Sequence, residues 1–195
     1  MLKELIIATG NKGKFREFEY LFETYEKNFT EKIIFAPEFS DLIVEETGKT
    51  YAENSMLKAQ AWAKKSGLPC LADDSGLEVE ALDGRPGIFS ARVSKGQEVS
   101  WILNELKNIE KLEDRRAKFS ASLALCVPED FILICEGHCE GIIIKEPRGS
   151  NGFGYDPVFV PDGFEKTFAE LDSKIKNSIS HRTKAFQKLI QKFHS

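Results

Sequence analysis

No apolar run in this 195-residue chain approaches the roughly 20 residues that a membrane-spanning helix requires, so no membrane partner is expected. The amino terminus passes from Met1-Leu2-Lys3-Glu4 into a short apolar stretch, without the long apolar core and small-residue cleavage site of a secretory signal. Export is not expected, and the expected location is the cytoplasm. The four cysteines, Cys70, Cys126, Cys135 and Cys139, form no Cys-x-x-Cys pair and lie in apolar, strand-like stretches, which points to buried reduced thiols. Cys135 and Cys139 bracket His138, but a structural zinc site needs four ligands and at most three lie nearby. Charge of one sign is also scarce: a net charge of -4 argues against a surface that grips the phosphates of a nucleic acid duplex. Internal repeats, low-complexity tracts and interdomain linkers are missing, so one domain spanning residues 1–195 is expected.

What is present reads as alternating strands and helices. Leu5 to Ala8 is a short apolar strand, Thr9-Gly10-Asn11-Lys12-Gly13-Lys14 a loop, and Phe15, Phe18, Leu21 and Phe22 recur at helical spacing. Ile33 to Ala36 reads as a second strand, followed by the acidic connection Glu45-Glu46-Thr47-Gly48. Thr50 and Glu53 have the spacing of a capping box, and Gly67 with Pro69 closes the helix they begin. Cys70 to Ala72 is a buried strand leading into Asp73-Asp74-Ser75-Gly76, so two carboxylates are expected at a strand end. Ala117 to Val127 and Phe131 to Ile144 flank Pro128-Glu129-Asp130 as a hairpin. From about Ser180, Phe186, Leu189, Ile190 and Phe193 mark one face of a last helix. Without the strict alternation of a parallel sheet, this is an α/β chain with a mixed sheet.

Several clusters carry chemistry. The first loop resembles a phosphate cradle, since glycines between a strand and a helix let backbone N–H groups approach an anion. It is not a Walker loop, because Lys14 is followed by Phe15 and not by Ser or Thr. Lys12, Lys14 and Arg16 crowd the helix end whose dipole disfavours cations, which makes sense if a polyphosphate binds there. Successive on an extended chain, Asp73 and Asp74 point to opposite faces. One of them, with Glu45 or Glu46, suffices for a hard divalent ion that keeps waters and bridges to phosphates. Asn54 and Lys58 share a helix face, as an exposed polar stripe or a phosphate-directed lysine would. Gly149 to Pro157 is glycine-rich, with Phe153 and Tyr155 offering aromatic surface for a base. A serine hydrolase is disfavoured by the lack of a Gly-x-Ser-x-Gly elbow.

Taken together, TGNKGK, EETGKTYAENSMLKA, LADDSGLEVEALDGRPGIFSAR, GFGYDPVF and SHR, in this order over nearly the whole chain, resemble the inosine triphosphate pyrophosphatase family. The resemblance implies an α/β fold with a long mixed β-sheet flanked by helices, two lobes with a deep active-site cleft between them, and assembly as a homodimer. It implies magnesium-dependent hydrolysis of ITP, dITP and XTP to the monophosphate and pyrophosphate, which keeps deaminated purines out of DNA and RNA. Carried over by motif, Thr9, Gly10, Asn11, Lys12, Gly13 and Lys14 hold phosphates, Lys58 adds positive charge, and Glu45 with Asp74 binds metal. Asp74 is the implied proton acceptor. Ser75 touches substrate, Phe153, Gly154, Tyr155 and Asp156 shape the nucleoside pocket, and Lys176, His181 and Arg182 contact the base. Arg92 of the Ser-Ala-Arg motif faces or braces the site. Phe89 stands where the family often has tyrosine, and Ser55 where it often has alanine. Two other readings compete: a related pyrophosphatase acting on modified pyrimidine nucleotides, and a nucleotide-binding sensor without turnover.

Overall fold

The structure, a computed structural model, describes residues 1–93 and 96–195. Its strands are β1 (Leu2–Ala8), β2 (Thr30–Phe35), β3 (Cys70–Val79), β4 (Arg116–Val127), β5 (Phe131–Ile143) and β6 (Phe159–Pro161). Its helices are α1 (Lys12–Tyr25), α2 (Ala36–Phe39), α3 (Tyr51–Ser66), α4 (Glu98–Glu105), α5 (Ser173–Ile179) and α6 (His181–Phe193). The strands form one sheet in the order β2-β1-β3-β4-β5-β6. β1 runs parallel to β2 and β3, and β5 antiparallel to β6, so the sheet is mixed as expected. The chain divides into two compact units: residues 1–74, 121–137 and 182–195, and residues 75–120 and 138–181.

In the first unit β1 is buried on both faces from Leu5 on, which is why Leu5-Ile6-Ile7-Ala8 reads as an unbroken apolar run. Side chains alternate across the sheet. Leu5, Ile7, Leu71, Leu123 and Leu125 pack with Phe18, Leu21 and Phe22 of α1 and with Phe186 and Leu189 of α6. Ile6, Ala8, Cys70, Ala72, Ala124 and Cys126 pack instead with Ala59, Trp62 and Ala63 of α3. Each large side chain buried this way contributes about 1.5–3 kcal/mol. The capping signals on α3 operate as read: the Thr50 side chain accepts from Glu53 N, and Gly67 closes the helix at φ 72°. The reciprocal bond of the box is displaced by one residue, because Glu53 Oε2 accepts from Lys49 N at 2.5 Å.

With α1 and α3 on opposite faces, the β2-β1-β3 order places a topological switch at the carboxyl end of β1, where its parallel pairing with β3 stops, the place where open parallel sheets form their binding crevices. β1 pairs with β3 as far as Ala8 opposite Ala72, so the loop that follows starts beside the two aspartates; it is shorter than expected, Thr9 to Asn11, because α1 already begins at Lys12. One expectation is corrected here. Asp73 and Asp74 lie inside a ten-residue strand and not at its end, because the alternation of Leu77 and Val79 continues β3 without a turn.

The second unit has its core on one sheet face. Leu77, Val79, Ala117, Phe119, Cys139, Ile143 and Phe159 pack with Ile102 and Leu106 at α4 and with Phe168 and Leu171. Glu78 and Lys118 form an ion pair of 3.2 Å and line a shallow hollow together with Glu140. Buried Arg115 pins this unit by donating to the carbonyls of Leu106, Ile109, Ile143 and Ile144 at 2.7–3.3 Å. The β4–β5 hairpin turns through Pro128 to Asp130, with Glu129 at φ 60°. All four cysteines are free thiols, Cys70, Cys126 and Cys139 buried and Cys135 half-buried. Among the described residues no helix is long and apolar enough to cross a membrane.

Candidate active site

In the first unit the two adjacent carboxylates of β3 have separate partners, as opposite-facing side chains on a strand must. Asp73, 2 % exposed, meets Lys14 Nζ at 2.6 Å and accepts from Arg182 at 3.2 and 3.3 Å. Arg182 also pairs with Glu17, which lies one turn after Lys14 on α1. Burial by itself would push the Asp73 carboxyl up, but Arg182 and Lys14 together hold it well below the usual carboxylate range. Two anions and two cations thus balance in an interior where any one alone would be costly.

Asp74 is a different kind of group. Burial raises its carboxyl above the usual range against the pull of Lys58 and Lys14, and Glu46 and Asp73 add to the rise. Its Oδ1 lies 3.5 Å from Lys58 Nζ, while Oδ2 is buried and has no hydrogen-bond partner in the protein. Lys58 donates to Glu46 Oε1, to the Asp73 carbonyl at 2.8 Å and to Asp74 Oδ1. An ammonium has three N–H groups, so this lysine is fully engaged in drawing acidic groups together.

The first loop is organised from within. Asn11 caps α1, its Oδ1 accepting from Gly13 N at 2.7 Å and Lys14 N at 3.2 Å, and Thr9 Oγ1 accepts from Asn11 N. Gly10, Asn11 and Lys12 are exposed and Thr9, Gly13 and Lys14 half-buried. Glu45 is exposed, and it is its neighbour Glu46 that reaches Lys58. Ser75 follows Asp74 on β3 and is half-buried.

In the second unit the Gly-Phe-Gly-Tyr-Asp loop is tied by Asp156. Its Oδ2 accepts from Phe153 N at 2.9 Å and from Lys176 Nζ at 2.6 Å, and Lys176 lies 5.0 Å from the centre of the Phe153 ring. A Cβ on Gly152 would fall 1.9 Å from Asp156 Oδ2, and its φ of 79° also favours glycine. Gly154 is half-buried, and the buried Tyr155 donates its hydroxyl to the Ser90 carbonyl at 3.2 Å. Burial pushes that phenol up. His181 stacks on Phe119 at 5.0 Å and 12°. Arg92 is exposed, with its guanidinium over Phe89.

The sequence-selected residues therefore gather into one group within each unit: Lys14, Lys58, Asp74 and Arg182 in the first, and Phe153, Asp156 and Lys176 in the second. Arg182, expected at a base, is 1 % exposed and spends its guanidinium on Asp73 and Glu17. Glu17 and Phe119 were not expected at the site, and Asn54, read with Lys58 as part of an exposed polar stripe, is instead buried against the segment ahead of α3. Glu17 shares a helical face with Lys14, the signal that could have pointed to it.

Fold and site define a mixed-sheet α/β protein with a charge-balanced carboxylate centre at the switch point of its parallel strands. The Ham1 family model matches residues 5–192, and the chain belongs to that family. It is similar to the dITP/XTP pyrophosphatase of Bacillus licheniformis, 46% identical with 96% of each chain covered. It is also similar to that of Bacillus subtilis, 45% identical over 97% of this chain and 96% of the relative. Among solved structures, a HAM1 protein from Coxiella burnetii matches with a TM-score of 0.83 and 40% identity over 99% of both chains.

Proposed function

We propose that this chain is a nucleoside triphosphate pyrophosphatase that hydrolyses the non-standard purine nucleotides dITP, XTP and ITP to the monophosphate and pyrophosphate. This is a house-cleaning activity that keeps deaminated purines out of nucleic acid, and the curated relatives named dITP/XTP pyrophosphatase, matched over nearly their full length, support the pyrophosphatase reading. The observation that carries it is Asp74: a buried carboxylate with a raised pKa, one unpartnered oxygen and a lysine alongside.

Magnesium fits the donors available. It takes hard oxygen ligands, keeps several waters and needs only one or two carboxylates, as Asp74 with Glu45 or Glu46 would offer. Among the described residues no three His, Cys, Asp or Glu side chains converge as a dedicated protein cage would require. When bound, magnesium would supply positive charge to the triphosphate oxygens.

The protein's own residues do the rest. Asp74 accepts a proton from a water as that water's oxygen bonds to the α-phosphorus and the bond to the departing pyrophosphate breaks. Lys58 keeps Glu46 and Asp74 close despite their mutual repulsion. Lys14 gives one N–H to Asp73 and retains two for phosphate oxygens, beside the Thr9–Gly13 backbone. Phe153 presents its ring from a loop that Asp156 and Lys176 hold in place, and Phe119 fixes the ring plane of His181. A donor there suits the 6-oxo group of hypoxanthine or xanthine and opposes the 6-amino group of adenine. Sites that pair with such a group discriminate by roughly 10⁴ in favourable cases. We take the enzyme to act in the cytoplasm as a homodimer, which light scattering on the purified protein tests.

The deciding experiment measures pyrophosphate and monophosphate from ITP, XTP, GTP, ATP and a modified pyrimidine triphosphate, with magnesium and with chelator. Metal-dependent release from ITP and XTP, with little from ATP, is expected. Preferred cleavage of the pyrimidine, or tight ITP binding without release, would overturn the reading in favour of a pyrimidine enzyme or a sensor respectively.

A further inference from the structure

The acidic segment ahead of α3 is fastened to that helix by a residue with no role so far. Asn54 is 1 % exposed, and its Oδ1 accepts from Gly48 N at 2.8 Å. The donor at Gly48 fixes the orientation of the amide: the oxygen faces the backbone, and Nδ2 is the buried atom with no hydrogen-bond partner in the protein. An unsatisfied buried N–H group is unfavourable, and an apolar side chain of similar size would remove it.

Gly48 has no room for a side chain. A Cβ there would lie 2.6 Å from Glu53 Cβ and 2.7 Å from Asn54 Oδ1, so the backbone must seat directly against α3. Next to it, Lys49 N donates to Glu53 Oε2 at 2.5 Å. One helical turn beyond Asn54, Lys58 holds Glu46. Residues 46–49 are thus tied to α3 at three points, by Lys58, Asn54 and Glu53. The Asn54 bond restrains the backbone from a buried position, whereas Lys49 is exposed and Lys58 holds a side chain by its tip.

We propose that Asn54 is a positioning residue that seats the Glu45–Gly48 segment on α3, so that the acidic side chains this segment carries stay within reach of Lys58 and Asp74. This rests on the pyrophosphatase reading for its consequence in catalysis but not for its structural half. Loss of the Gly48 bond lets the segment lift, and the carboxylates then have to be brought back when the metal and triphosphate bind.

The test compares wild type, Asn54→Leu, Asn54→Asp and Gly48→Ala by hydrogen exchange at the Gly48 amide and by steady-state kinetics against magnesium. Asn54→Leu should fold and melt no lower than wild type, yet exchange at Gly48 at least about fivefold faster, as the loss of one hydrogen bond implies. Its magnesium requirement for half-maximal rate should rise about 10-fold, a typical effect of removing an outer partner of metal-binding groups. Asn54→Asp keeps an acceptor and should retain protection at Gly48, and Gly48→Ala should reproduce the magnesium effect from the other side of the contact. Unchanged exchange in Asn54→Leu, or faster exchange with an unchanged magnesium requirement in an enzyme that turns over, would overturn the proposal. If wild type itself released no pyrophosphate, the pyrophosphatase reading would fall, and the exchange comparison would still decide the structural role.

Discussion

Neighbouring aspartates that differ only in their partners should respond oppositely to the same substitution. Asp73→Asn removes the carboxylate between Lys14 and Arg182, whose side chains are 17% and 2% exposed, and leaves the buried guanidinium with Glu17 and the half-buried ammonium without its close partner. Breaking a buried pair from one side costs about 3–5 kcal/mol. With a urea dependence of about 2–3 kcal/mol per molar, the unfolding midpoint should fall by about 1–2 M. The fluorescence of Trp62, read in a Trp101→Phe background, reports the first unit. The pH dependence has a definite sign: the folded Asp73 carboxyl lies below its unfolded value of about 3.9, so its stabilisation is complete above about pH 4 and is lost as the pH falls lower. The gap between variant and wild type should narrow only in that acid range. Asp74→Asn should do the reverse. Its carboxyl is raised in the folded state, so ionisation opposes folding above the folded pKa, and the amide relieves that cost. The variant should therefore unfold at no lower urea than wild type at pH 7 while losing turnover. A midpoint shift below about 0.3 M for Asp73→Asn, or near-normal turnover by Asp74→Asn, would refute the division of labour.

Other outcomes follow from the same geometry. The acid limb of kcat/KM should lie above the ordinary carboxylate range, because Asp74 must be ionised to accept a proton and burial raises it; a limb at about pH 4 would contradict this. Arg115→Met strands four carbonyls in the second unit and should cost about 3 kcal/mol, lowering the Tm by about 6–12 °C in calorimetry. Gly152→Ala places a methyl group on the Asp156 carboxylate and should raise KM for ITP by more than it lowers kcat, in steady-state assays at fixed magnesium. Phe119→Leu removes the ring beneath His181 and should narrow the ratio of ITP to ATP hydrolysis, with Phe119→Tyr restoring it.

Much of the local structure was legible because it depends on short-range rules. The continuous apolar run of β1, the helical spacing of Phe18, Leu21 and Phe22, and the Thr50 and Gly67 caps each specify one element without reference to the rest. The short α5 that carries Lys176 was not legible: its seven residues offer too few turns for a periodic signal, and its one marker is the Asp172 cap. The extent of β3 was missed for a related reason, since Asp-Asp-Ser-Gly has the composition of a turn and only pairing within the sheet keeps it extended.

The motifs by themselves determined the family resemblance, the mixed α/β class and the set of charged residues from which a site could be drawn. Partnership was decided only by the tertiary structure. Asp73 and Asp74 are equivalent in sequence, yet one is ionised between two cations and the other is raised by burial. Of the groups responsible, Lys14 on α1 and Arg182 on α6 lie far from β3 along the chain, while Lys58 stands on α3 just ahead of it. Arg182 was expected at the base and is the anchor of that centre, more than a hundred residues away from the carboxylate it meets. Electrostatic energy depends on distance and burial, and neither is a property of position in the chain.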